Sequence, residues 1–208
     1  MFTNPKLLIG YKVFFSLLGF SAIITEIATI SERGRFSPIN FFSYFTIETN
    51  ILVFVTLLLS AIAVAMGKNG KLDVLRSAVT VYMLIVGIGF SILLAGIEGI
   101  ILTAVPWDNI VLHYIMPIAM LVDFLIDRPK RKISFNKSLV WLMFPVLYVT
   151  YSLIRGAVVG WYPYPFLNPD PEGYGAVTIT VLGLLLLSLG ITWVITKLSG
   201  TKQSHLFT

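Results

Sequence analysis

Six long apolar runs, separated by short polar or turn-rich connections, set the pattern of this chain. The first covers about 7–30 and leads into the polar hairpin Ser31-Glu32-Arg33-Gly34-Arg35. The second, 41–66, ends in the turn-rich basic loop Gly67-Lys68-Asn69-Gly70-Lys71. The third, 75–103, stops before Pro106-Trp107-Asp108, and the fourth, 109–126, runs into Asp127-Arg128-Pro129-Lys130-Arg131-Lys132. The fifth covers 138–160, and a long connection from Trp161 to Gly175 precedes the sixth, 176–197. At 1.5 Å per residue, runs of this length match the hydrocarbon thickness of a bilayer, about 30 Å. With no internal repeat or domain boundary, the expectation is an all-α membrane protein: one domain over 1–208, its six transmembrane helices in one bundle.

Composition sharpens this picture. Of 208 residues, 57% are hydrophobic and 12% are charged, and the mean hydropathy is +0.89. A soluble domain carries about a quarter charged residues, so a surface this poor in charge is expected to face lipid. The absence of cysteine excludes disulfides, zinc thiolates and cysteine nucleophiles. The net charge of +5 is split among short connections and tails, which is a topology signal rather than a nucleic-acid footprint. Lys6, Lys12, Lys68, Lys71, Arg76, Arg128, Lys130, Arg131, Lys132, Lys137, Lys197 and Lys202 fall on one side, against Arg33 and Arg35 on the other. The positive-inside rule then places both termini in the cytoplasm, in a plasma membrane or bacterial inner membrane. Lys12 is expected to snorkel to the interface. The first run, with no small-residue cleavage site after it, reads as a retained helix rather than a signal peptide.

Ionisable groups within spans are costly and mark function more often than decoration. The topology gathers Glu26, Thr46, Glu48, Thr49, Asn50, Glu98, His113 and Arg155, from five helices, at one depth toward the outer leaflet, with Asp123 at the opposite end. Thr46, Thr49 and Asn50 share a helix face, whereas Glu48 lies about 200° round from Thr46. Asn109, four residues before His113, is in reach of its ring, but Asp123, about 15 Å deeper, is not. A hydroxyl and a neutral imidazole at one depth can form a nucleophile and base. The plainer alternatives are a threonine back-bonded to the carbonyl of Phe42 and a histidine that only joins helices. A single histidine within the spans argues against a metal site, even with Glu26, Glu48 and Glu98 nearby, and no cofactor is called for.

Three segments resemble the androgen-induced-gene (androgen-dependent TFPI-regulating-protein) family of multipass membrane proteins and its short prokaryotic relatives. They are Tyr44-Phe45-Thr46-Ile47-Glu48-Thr49-Asn50-Ile51-Leu52-Val53, Asn109-Ile110-Val111-Leu112-His113-Tyr114-Ile115-Met116-Pro117, and Gly160-Trp161-Tyr162-Pro163-Tyr164-Pro165-Phe166-Leu167. The last is similar to the family's aromatic-proline-phenylalanine-leucine signature. The resemblance implies a threonine hydrolase of fatty acid esters of hydroxy fatty acids, with Thr46 as nucleophile and His113 as base. Spacing differs by one residue in the first two segments, so the likeness admits Thr46 or Thr49 as the nucleophile.

The reading that follows is an intramembrane hydrolase of long-chain esters. Asn50 or Thr49 would stabilise the oxyanion. Arg155 would bind a substrate carboxylate or pair with Glu98, and Glu26 and Glu48 would lie in the same polar cluster. The expected partners are the bilayer and a long-chain ester entering from it, with no nucleic acid and an open oligomeric state. The rival readings are a small-molecule or proton-coupled carrier built on Glu26, Glu48, Glu98 and Arg155, or a non-catalytic assembly protein. The Trp161–Gly175 connection reads as an aromatic belt at the headgroups or as a cover over the site, its prolines forbidding a helix.

Overall fold

The computed structural model of the chain describes residues 4–97 and 103–200. It is all-helical, with no strand among the described residues, and six of its helices are long and apolar enough to cross a membrane. We label the helices α1 (Pro5–Glu32), α2 (a short turn, Pro38–Phe41), α3 (Phe45–Ala65), α4 (Asp73–Leu93), α5 (Pro106–Ile126), α6 (Phe135–Val159) and α7 (Gly173–Leu198).

Local chemistry sets the helix ends that matter for the site. Asn4 caps α1 by accepting the Lys6 N–H at 2.9 Å, with Pro5 in the first turn. The second span begins four residues later than its apolar run at 41. Ser37 caps α2, the chain turns through Phe42–Tyr44, and α3 starts at Phe45. Tyr148 of α6 fixes that turn by donating to the Ser43 carbonyl at 3.0 Å. Thr46 therefore stands in the first turn of α3, with no helical carbonyl four residues earlier to receive its hydroxyl. The third span ends at Leu93 rather than Thr103, because the chain turns out through Gly96 at φ +84, a left-handed conformation glycine adopts freely. Glu98, expected at the outer end of that span, lies outside the described residues. The fifth span ends at Gly160, also left-handed (φ +68).

α4 is the most enclosed helix. Of its most apolar 18-residue stretch 61% is buried, against 17% in α6 and in α7, which turn most of their apolar surface outward. α1 packs along α3, and α4 contacts α3, α5 and α7. Val53, Leu57, Val79, Val81, Met83 and Met120 fill the core between them. α4 approaches α5 closely at Gly87, where an added Cβ would lie 2.8 Å from the Pro117 ring.

Lys12 corrects the snorkelling expectation. It is fully enclosed and joins a buried ion network with Arg76 of α4 and Asp123 and Asp127 at the end of α5. Arg76 donates to Asp123 Oδ2 from Nε (3.0 Å) and Nη2 (2.7 Å), and pairs through Nη1 with Asp127 (3.0 Å) and Asp73 (3.3 Å). The two cations of this network hold one another's repulsion in check only through the carboxylates between them, which ties α1, α4 and α5 at one end of the molecule.

Candidate functional site

Glu26 lies fourteen residues beyond Lys12, about 21 Å further along α1, and at that level the second polar cluster assembles. Thr46 Oγ1 is 3.3 Å from His113 Nε2 and 3.2 Å from the Tyr164 hydroxyl, and all three side chains are buried. His113 Nδ1 is 3.1 Å from the backbone carbonyl of Asn109.

The partners fix the direction of every bond. A carbonyl only accepts, so Nδ1 carries the proton and Nε2 presents its lone pair to Thr46. Thr46 then donates to Nε2, and its oxygen accepts from Tyr164. Burial pushes the Tyr164 phenol up to about 12, so it remains a protonated donor at neutral pH. Tyr164 also accepts the Thr46 backbone N–H at 3.2 Å, one of the donors that a helix N-terminus leaves without an intrahelical partner. Asn109 thus acts through its main chain, not through the side-chain contact expected of it.

Backbone irregularity aims the histidine. Residues Val111–Ile115 form one π-helical turn inside α5, just before Pro117, whose missing N–H leaves the ladder a donor short. Phe90 of α4 stacks on the His113 ring at 4.0 Å and 21°, fixing its plane.

Two cavities meet at this point. One, of about 290 Å³, is almost wholly apolar and is lined by Val86, Phe90, Leu93, Val181, Thr46 and Tyr164 among others. The other, of about 320 Å³, is more polar and includes Glu26, Arg33, Arg35, Thr46, His113 and Tyr164. Thr46 and Tyr164 line both, so the hydroxyl of Thr46 sits at the partition.

Several expected site residues take other parts. Asn50 is no free oxyanion donor: its amide N–H groups go to the carbonyls of Thr46 (2.9 Å) and Leu112 (3.4 Å), joining α3 to α5. Thr49 is completely buried with its hydroxyl unpartnered, and it lines neither cavity. Glu48 is half-buried and also lines neither. Arg155 donates to the Asn40 side chain and lies 4.6 Å over the Trp161 ring, away from both cavities. Glu26 does line the polar cavity, where its carboxylate accepts the Ala104 N–H at 2.8 Å and Arg33 donates to the Ala104 carbonyl at 3.2 Å.

Tyr164 is the member that sequence reasoning missed, having read it as a headgroup aromatic. Its place between Pro163 and Pro165 keeps the segment out of a helix but does not say which way its side chains turn. Tyr162 packs so tightly on Gly156 that an added Cβ would lie 2.0 Å from its ring, and Tyr164 stacks on Phe166 at 5.1 Å. Among the described residues, no group of three or more His, Asp or Glu side chains is placed to hold a metal. Comparison with family models, with curated proteins and with solved structures gives no match to this chain.

Proposed function

We propose that the protein is an intramembrane hydrolase of long-chain fatty esters, with Thr46 as nucleophile and His113 as general base. The observation that carries this reading is a buried hydroxyl, held between an imidazole lone pair and a phenol, at the partition of an apolar and a polar cavity. The acyl chain occupies the apolar cavity. Thr46 Oγ1 attacks the ester carbonyl while its proton passes to His113 Nε2. Tyr164 turns its O–H to the developing oxyanion, assisted by the positive end of the α3 dipole. Collapse of the tetrahedral intermediate releases the alcohol half as an alkoxide, which takes the proton from His113. Water from the polar cavity, deprotonated by His113, then attacks the acyl-threonine, and Thr46 Oγ1 leaves with the proton that His113 returns as the fatty acid is released. Arg33 and Arg35 take the place first given to Arg155: they suit a carboxylate on the departing half, in keeping with the resemblance to hydrolases of esters of hydroxy fatty acids.

The test is hydrolysis of a panel of long-chain esters by detergent-purified protein, beside Thr46→Ala, Thr49→Ala and His113→Ala, with a fluorophosphonate probe and monodispersity checks. The expected result is turnover in wild type and Thr49→Ala, lost in the other two. A well-folded wild type that neither turns over any ester nor takes the probe overturns the proposal.

A further inference from the structure

A third cavity, of about 710 Å³, opens at the other end of the molecule, between the α3–α4 connection and the segment joining α5 to α6. Lys71, Lys130, Arg131, Lys132 and Lys137 line it, and all five are exposed. Its one acid is already committed: Asp73 accepts from Arg76 through Oδ1 (3.3 Å) and from the Lys130 backbone N–H through Oδ2 (3.0 Å). The same cavity has an apolar side formed by Val74 and Val140, which are 57% and 58% exposed in the first two turns of two candidate membrane spans.

Loops that only set topology need charge, not shape. This one is held by three hydrogen bonds, from the start of α4 and from the chain just after α7. Besides the Asp73 contact, the Ile133 N–H donates to Ser199 Oγ at 2.8 Å and the Gly200 N–H donates to the Pro129 carbonyl at 3.0 Å. Gly200, at φ +64, comes so close that a Cβ there would lie 2.6 Å from the Lys132 nitrogen. The geometry points to a preorganised site for the headgroup phosphate of an anionic phospholipid, its acyl chains running along Val74 and Val140. Basic pockets between span ends bind such headgroups, and the exposed valines have no use for a free phosphate.

The test is binding to detergent-purified protein, measured by native mass spectrometry and thermal shift. The probes are dioctanoyl phosphatidylglycerol, dioctanoyl phosphatidylcholine and inorganic phosphate. Saturable binding of phosphatidylglycerol alone is expected. Lys132→Gln/Lys137→Gln should weaken it about twenty-five-fold, at about fivefold per charge removed. Gly200→Ala, which keeps every charge but displaces the loop, should weaken it as well. Equal binding of the two lipids, displacement of phosphatidylglycerol by an equal concentration of phosphate, or wild-type affinity in the folded double variant would each overturn the site.

Discussion

Two buried polar clusters lie at different levels of the molecule, and they are organised in opposite ways. Around Lys12, Arg76, Asp73, Asp123 and Asp127, charges of both signs neutralise one another at short range. Around Thr46 the three central groups are neutral, the bonds are longer, and open volume lies on both sides. The first arrangement answers the cost of burial by mutual satisfaction. The second holds the Thr46 hydroxyl between two neutral partners and beside open volume, within reach of a third party. Burial alone does not separate a structural clasp from a chemical site; the degree of satisfaction and the adjoining space do.

Substitutions can break this contrast in a definite order. Asp123→Ala has the largest expected effect, because it removes the fully buried carboxylate that pairs with both enclosed cations and leaves them to share Asp127 and Asp73. A loss of about 3–5 kcal/mol is expected, seen as a collapse in monodisperse yield or melting temperature. Thr46→Ala should lower ester turnover by about a thousandfold or more while the melting temperature shifts by only a few degrees. A melting loss equal to that of Asp123→Ala would erase the distinction between the two levels. Gly87→Ala falls between them, since its Cβ meets both the rigid Pro117 ring and, at 3.4 Å, the His113 carbonyl. It should cost about 1–3 kcal/mol and reduce turnover together with stability. Tyr164→Phe is the mildest: it keeps the ring, frees the Thr46 N–H, and should reduce kcat about ten- to a hundredfold with KM little changed. Unaltered kcat there would take Tyr164 out of the chemistry.

The membrane character was legible because a run of twenty apolar residues has few soluble uses. The common depth of Thr46 and His113 was legible from the topology, but nothing in periodicity says that a helix will begin at Phe45 and strip Thr46 of a back-bonding carbonyl. The ion network went unread for an instructive reason. Lys12 and Arg76 were counted as topology markers and Asp123 as an outlier, although depth along the helices puts all three at one level. The convergence argument applied to the outer residues would have joined them. Tyr164 was hidden by chemistry common to all interfacial tyrosines, and only the packing of Tyr162 on Gly156 shows which way the segment folds.

The two halves of the site are also anchored unequally. Thr46 and His113 stand on α3 and α5, which are half enclosed by neighbouring helices. Tyr164 hangs from the segment that links α6 to α7, the two helices with the most lipid-facing surface. A thinner or thicker bilayer tilts such peripheral helices at small energetic cost. That tilt would carry the phenol toward or away from the threonine hydroxyl while leaving the ion clasp untouched. Under the proposed function, ester turnover is then expected to vary with the hydrophobic thickness of the surrounding membrane, and reconstitution in lipids of graded chain length checks that expectation.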